Sequence, residues 1–580
     1  MSATASLQKK WNQLCNVIWD DPEAKQGERT AGKEAGDQAK KKTRQASNAL
    51  PDGRQPEDQK AGHRFINAHR FDLAFVFVMG ALLFFLAWIL PLNGGPDEEM
   101  RYLIPQYIYR HGTLPHGGDP EIRNKLWGIS YGFHPILPYI FGGYLMKLVS
   151  VFNSSEHALL MAARFINVLL GMGFYWYVLQ ISRRLFRRGI FRVYFVALLA
   201  LLPQLLYLFV YVNTDGIALF STAMIFNYWL TGMEKRWDRS SCTGLAIGVS
   251  CCALSYFNAY GFALMSVVLF VGSLIVFYGK RGAKACVIVV LKRGLFITGI
   301  VFLLCGWWFI RCAILYDGDF LGLSTPAKYG EKYAQEEYKP SVKKSVKEQG
   351  KSLEEMLKKE VDGGMEWATT TYRSTIGYFG FFEYPLGLDI YGIHKKLFVL
   401  GILGILVHII LTALWGIGVW LNRKRKCPVV AKYRRGLAAI SGAEHPAFTV
   451  ENQVLSPANF FILQFSLVCC IIIPVLLSLV YSYTDDFQPQ GRYIMTFIIP
   501  VMYFTAAGTE RVLTLCFRKW MVPLLMLPLL YAVVHVWASA FLSVYIPAWC
   551  ESLSFLSGLR FPWLSNIGPV VKLLQLLIPG

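Results

Sequence analysis

The sequence predicts an all-α polytopic membrane protein, a bundle of about eleven transmembrane helices with two long extracytoplasmic segments carrying interfacial helices. Three observations predict it. Of the 580 residues, 54% are hydrophobic and only 17% are charged, far from the balance of a soluble domain. Apolar runs of ~20 residues, each long enough to cross a bilayer as a helix, recur along nearly the whole chain. The runs are continuous rather than alternating, which excludes barrel strands.

Basic clusters beside these runs set the orientation, because loops rich in Lys and Arg stay in the cytoplasm. Residues 1–70 are hydrophilic and lack apolar periodicity, the pattern of a disordered, basic cytoplasmic tail. The first apolar run, about 71–92, follows His69 and Arg70 and is expected to remain as an uncleaved anchor. It leads outward and leaves "GGPDEEMR" outside. The next basic cluster, Arg183, Arg184, Arg187, Arg188 and Arg192, leaves room for one crossing before it. The long run that ends in these arginines takes it. The shorter run at about 135–152, interrupted by Pro135, Pro138, Gly142 and Gly143, reads as a helix lying in the outer interface.

The first outer loop therefore covers 93–156. Spans follow at about 190–211, 214–232, 242–258, 260–279 and 294–316, then a second outer segment at 317–392. A span near 397–421 returns the chain to a cytoplasmic loop at 422–458. The last spans are at about 459–483, 491–508 and 520–546. The transmembrane domain is thus 71–546, with an extracytoplasmic tail at 547–580. Within the second outer segment Val342, Val346, Leu353, Leu357 and Val361 recur at helical spacing among charges, predicting a solvated amphipathic helix.

Composition narrows the function as well. The net charge of +20 is concentrated beside apolar runs rather than in an aromatic-rich basic module, which excludes nucleic acid as a partner. Cys251, Cys252, Cys305, Cys469 and Cys470 lie inside apolar runs, where they act as small hydrophobes. No C-x-x-C pair or Cys/His cluster suggests zinc. No phosphate-binding glycine loop is present, which excludes ATP as donor or fuel. Energy for chemistry on the outer face must then arrive with an activated substrate already in the membrane. Matching halves with paired broken helices are lacking, and the predicted spans are nearly free of charge apart from Arg164 near the outer end of its span. Both features argue against a transporter.

The polar residues that could act gather at the outer level. In "PDEEMRYLIPQYIYR", Asp97 falls at the start of a helix, where a carboxylate caps free N–H groups and Glu98 and Glu99 complement the dipole. Spacing alone favours this capping reading, but a second one is open. Residues 97, 101, 104 and 108 share one helical face, so Asp97 and Arg101 project together, a base for a hydroxyl beside a cation for a phosphate. "SYGFHP" offers Tyr131 and His134 just before the interfacial helix. "VNTDG" puts Asn213 and Asp215 in an outer turn, which a lone Asp-Gly also marks without any function. "TYRSTIGYFGFFEYPLGLDIYGIHKK" carries Arg373, Glu383, Asp389, His394, Lys395 and Lys396, with basic residues at the outer end of a span. "YTDDFQPQGRYIM" adds Asp485, Asp486, Arg492 and Tyr493. Arg492, just inside an apolar run, is either an interfacial anchor or a phosphate clamp.

An uncleaved first span, an outer loop opening with an Asp-Glu pair on a short helix, an interfacial helix and a span ending in arginines together resemble the GT-C glycosyltransferases. Within that superfamily "GGPDEEMRY", "STIGYFGFFEYPL" and "QGRYIMTFIIP" are similar, in order and placement, to a family of bacterial multi-pass membrane proteins of largely unassigned function. The resemblance covers about 65–545. It implies a GT-C-like bundle in the bacterial inner membrane, N-terminus cytoplasmic, that transfers a sugar from a polyprenyl-phosphate donor to a cell-envelope glycan, lipid or teichoic-acid-like acceptor. Asp97 matches the presumed base and Glu98 its partner. Arg101, His134, Arg492, Tyr493 and Lys395 are then candidates for the donor phosphate. Asp215, Tyr131, Arg373 and Glu383 are candidates for acceptor or supporting roles. His-Pro stands where better-known branches carry Lys-Pro, and the third acid, Glu99, is additional. Asp97, Glu98 and Asp215 are the candidate ligands for a divalent metal, although metal independence is the preferred expectation. A polysaccharide polymerase or ligase, a lipid or glycan transporter and a non-catalytic scaffold are the rival readings.

Overall fold

A computed structural model of the chain describes residues 57–361, 364–425, 449–450, 453–454 and 456–550. The basic tail up to residue 56, most of the expected cytoplasmic loop and the C-terminal tail beyond residue 550 lie outside the described residues. Apart from two short antiparallel pairs, the regular structure is helical. Among the described residues seven helices are long and apolar enough to cross a membrane: His69–Ile89, Glu156–Leu185, Phe257–Arg281, Ala283–Leu315, Leu388–Val407, Ala458–Thr484 and Met521–Trp549.

The first helix, α1 (Glu57–Ile89), packs on α4 (Glu156–Leu185). Between them the loop expected to lie outside folds into α2 (Glu98–His111), a 3-10 turn at Tyr131–Phe133 and α3 (Leu137–Ser150). α2 lies on α3, and α3 on α4. Helix α3 starts beside Pro138, whose missing N–H costs nothing in a first turn. It buries Tyr139, Gly142, Gly143 and Met146 and leaves Phe141, Tyr144 and Leu148 exposed, an amphipathic pattern suited to an interface.

The expected span at 190–211 is broken in two, α5 (Gly189–Ala200) and α6 (Pro203–Leu208). Pro203 cannot donate to the preceding turn and biases Leu202 towards extended backbone, and Leu202 is extended. Next comes α7 (Asp215–Glu234), in which every residue from Asp215 to Met233 except Phe220 and Tyr228 is buried. A helix buried on nearly every side belongs in a core, and α7, which buries Asp215, Ser221, Thr222, Asn227 and Thr231 along with its apolar residues, packs against α4, α8 (Arg239–Ala253) and α9 (Tyr260–Tyr278). The expected spans at 190–211, 214–232, 242–258 and 491–508 are thus helices that are broken, short or more polar than the seven above.

After α10 (Ala283–Leu315), the second outer segment carries α11 (Thr325–Tyr333), α12 (Leu353–Lys358), α13 (Trp367–Ile376) and a hairpin of β1 (Tyr378–Phe379) with β2 (Tyr384–Pro385). The amphipathic helix expected across 342–361 is reduced to α12. Gly350 takes a left-handed φ of 74°, which ends regular helix. Ser352 then starts α12 afresh with a capping box to Glu355. Val346, expected on its apolar face, is buried instead in a cluster with Met356 and Trp367.

The remainder is α14 (Leu388–Arg425), the paired strands β3 (Thr449–Val450) and β4 (Gln453–Val454), α15 (Pro457–Thr484), a 3-10 helix at Gly491–Phe497, α16 (Ile498–Cys516), α17 (Met521–Ala540) and α18 (Ile546–Cys550). Helices α14 and α16 cross at glycines. A Cβ on Gly404 would stand 1.9 Å from the Gly508 carbonyl oxygen.

Candidate active site

Helix α2 begins where Asn93 and Asp97 both take left-handed backbone, with φ of 62° and 61°. Asp and Asn tolerate this region better than other non-glycine residues. Gly95 lies so close to Tyr211 that a Cβ would be 2.4 Å from the ring, so only glycine allows the loop to approach there. The turn is also tied down by the Tyr207 hydroxyl, which donates to the Gly94 carbonyl and accepts from the Gly380 N–H of the hairpin.

The three consecutive acids separate at once. Asp97 stands at the N-cap position, yet its side chain makes no cap bond. The capping reading is therefore wrong. Its Oδ2 instead accepts from Arg492 Nη2 at 2.7 Å and from the Tyr131 hydroxyl at 3.0 Å. Arg101 Nη2 is 3.8 Å from the same oxygen. Glu98 points the other way and is fully buried against Arg164, whose Nε and Nη2 donate to it at 2.7 and 2.6 Å. The Val212 and Asn93 backbone N–H groups add two further bonds to Glu98. Glu99 is exposed.

Arg164 does more than neutralise Glu98. Its guanidinium also donates to the carbonyls of Ala87, Leu90 and Pro91. It thereby satisfies acceptors left over at the end of α1 and fastens the outer loop to that end. Two isolated charges in apolar surroundings become one hydrogen-bonded pair.

Arg101 ties two acids together. Its Nη1 is 3.5 Å from Asp215 Oδ2, and its guanidinium lies 4.5 Å over the Tyr131 ring. Asp215, the first residue of α7, is set by an Asn213 turn: Asn213 Oδ1 accepts from the Gly216 N–H, and Asn167 donates to the carbonyls of Tyr211 and Asn213. Arg492 comes from the 3-10 helix Gly491–Phe497, which docks on α13 through the Gly491 N–H to Ser374 Oγ. Arg492 also donates to the Pro96 carbonyl and to the Tyr493 hydroxyl, and its own carbonyl accepts from Tyr256. Tyr493 donates to Gln488, and its carbonyl accepts from Asn258.

Asp97, Arg101, Tyr131, Asp215, Arg492 and Tyr493 thus form one connected cluster, although they come from four separate segments. Both arginines are 95% buried or more, whereas Asp97 is 26% exposed. Burial alone would raise the Asp97 carboxyl, but Arg492, Arg101 and the bonds from Arg492 and Tyr131 outweigh it and hold the group at about 2. The carboxylate is therefore ionised but, so held, a weak base. Burial raises the Tyr131 phenol to about 12. Burial, helped by nearby Arg101, lowers His134 to about 4. His134 is accordingly neutral at neutral pH, so as a candidate for the donor phosphate it brings no counter-charge.

Four expected residues stand apart from these bonds. His134 lies edge-on to the Phe257 ring at 6.1 Å, Arg373 lies 5.7 Å over the Tyr391 ring, and Glu383 and Lys395 are exposed on the hairpin and on the first turns of α14. Asp486, also outside the cluster, pairs with Lys343 at 2.5 Å. The three acids considered for a metal do not converge. Glu98 is saturated by Arg164, a guanidinium separates Asp97 from Asp215, and no group of three His, Cys, Asp or Glu suited to a metal occurs among the described residues. Sequence reasoning missed the partnership of Arg164 with Glu98. The available signal was a lone charge within a span, which demands an opposite charge at the same depth.

No family model matches the chain, and no curated protein matches it. Among solved structures it is similar to an oligosaccharyltransferase of Archaeoglobus fulgidus in the apo form, with 13% identity and a TM-score of 0.43 over 81% of this chain and 55% of that one. It is also similar to the archaeal oligosaccharyltransferase AglB from Archaeoglobus fulgidus in complex with an inhibitory peptide and a dolichol-phosphate, with 13% identity and a TM-score of 0.39 over 83% of this chain and 56% of that one. The chain spans little more than half the length of these two structures.

Proposed function

We propose that this chain is a membrane glycosyltransferase that moves a sugar from a polyprenyl-phosphate donor to a cell-envelope acceptor on the extracytoplasmic face of the bacterial inner membrane. The observation that carries the reading is one partly exposed carboxylate, Asp97, bound to a buried guanidinium, Arg492, with a second, Arg101, beside it. Buried arginines beside a reacting acid suit a lipid-linked phosphate, because a guanidinium fork matches phosphate oxygens.

The transfer is inverting. The acceptor hydroxyl oxygen attacks the anomeric carbon opposite the phosphate while Asp97 takes the hydroxyl proton. The bond from the anomeric carbon to the phosphate oxygen breaks, and Arg492 and Arg101 receive the charge that develops on the phosphate. Asp215 keeps Arg101 in place, and Tyr131 and Tyr493 position Asp97 and Arg492. Glu98 acts through Arg164 as a positioning residue. His134, being neutral, offers a hydrogen bond to the phosphate rather than a charge. Arg373 and Glu383 are kept as acceptor-side candidates and Lys395 as a donor-side one, each outside the bonded cluster. No step runs through a metal.

A polymerase or ligase would share this donor, and a transporter would need its charges near the bilayer midplane. Transfer from polyprenyl-phosphate sugars in isolated membranes tests the reading. Asp97→Asn, correctly folded, is expected to lower the rate by about a hundredfold or more. A folded Asn variant working at the wild-type rate overturns the role of Asp97 as base.

A further inference from the structure

Arg101 and Arg492 are buried cations with more donor capacity than the protein uses. The Nε of each is buried and without a partner. Arg101 makes two long contacts, 3.5 Å to Asp215 and 3.8 Å to Asp97. Leaving buried donors unpaired costs free energy, so such a pair is unfinished as structure. Asp97 is the group that quiets it. It gives up the helix cap its position invites, worth about 1 kcal/mol, and turns one carboxylate oxygen onto Arg492, Arg101 and Tyr131. Of the four charged groups in the cluster it is also the most exposed.

We infer that Asp97 is an internal stand-in for the donor's phosphate group: it occupies the two guanidiniums in the resting protein and is displaced from them when the phosphate binds. The inference rests on the proposed transferase reading and adds an order of events to it. The exchange is of one anion for another, so the charge facing the arginines changes little while the phosphate supplies oxygens for the unpaired Nε donors. Once released, Asp97 loses the two cations that make it a weak base. The arriving donor thereby arms the base, and an acceptor hydroxyl meeting an empty site is not deprotonated.

The test separates the two ideas. A short-chain polyprenyl monophosphate, the matching polyprenol and inorganic phosphate are titrated into purified full-length wild type, Asp97→Asn and Asp97→Ser, with thermal melts to establish which variants fold. Removing the competing anion is expected to tighten polyprenyl monophosphate binding about tenfold and leave polyprenol binding unchanged, even as transfer is lost. Adding Arg492→Gln to the neutral variant is expected to abolish the gain. A gain for inorganic phosphate as well supports the exchange and identifies the phosphate group alone as the competitor. A gain confined to the lipid supports it with the headgroup as the source. Unchanged or weaker polyprenyl monophosphate binding in either folded variant overturns the exchange, even if transfer is lost. Tighter binding with transfer intact upholds the exchange and removes Asp97 from the chemistry.

Discussion

At the scale of single residues, the acidic run at the start of α2 is three unrelated devices in sequence. Asp97 faces the arginines, Glu98 is locked to Arg164 and Glu99 meets solvent. The Glu98–Arg164 pair is fully buried, and a pair of this kind is costly to break from one side because the remaining charge is stranded. Arg164→Met is therefore expected to destabilise the protein by about 3–5 kcal/mol, read as a large drop in the melting temperature of the detergent-purified protein. A melt that coincides with wild type would show that the pair does not hold the loop. Asp97, Arg101, Asp215 and Arg492 were all legible as candidates because each is a charged residue close to an end of an apolar run, where hydropathy makes it conspicuous. That Glu98 turns away from Asp97 follows from helix geometry, since consecutive helical residues point about 100° apart, but its pairing with Arg164 does not.

At the scale of elements, proline and glycine account for most of the departures from expectation. The break between α5 and α6 follows from Pro203, a rule readable in the sequence. The loss of helix over 342–352 follows from Gly350 and the fresh N-cap at Ser352, which the apolar spacing masked. The crossing of α14 and α16 depends on Gly401, Gly404 and Gly508, whose backbones touch. Gly508→Ile must push the two helices apart and is expected to cost at least about 1–3 kcal/mol as overpacking. Transfer should fall in parallel with the fraction folded, since α16 carries the Arg492 segment at its start. A folded, stable Ile variant would contradict the close crossing.

At the scale of the whole molecule, the orientation is a prediction from charge asymmetry. It is checked by cysteine labelling in a background in which Cys15, Cys427, Cys516 and Cys550 are replaced by Ser, because Cys516 is exposed and the other three fall in the expected tails and cytoplasmic loop. Glu383→Cys is expected to react with a membrane-impermeant maleimide in intact cells, and Arg187→Cys only after permeabilisation; both positions are exposed. The reverse pattern would turn the protein over and place the Asp97 cluster on the cytoplasmic side.

The sequence by itself determined the class, a helical membrane protein, and the short set of charged residues beside apolar runs; the orientation it predicts is the one the labelling checks. Those properties depend on hydropathy and charge summed over local windows, so neighbours in the chain are enough to read them. Only the tertiary structure decided which acid meets which cation. Asp97 and Arg492 are 395 positions apart, Asp215 and Arg101 114, and Glu98 and Arg164 66. Each pairing depends on how helices pack rather than on any local pattern, because a buried charge is tolerated only where the fold delivers its partner within hydrogen-bond reach.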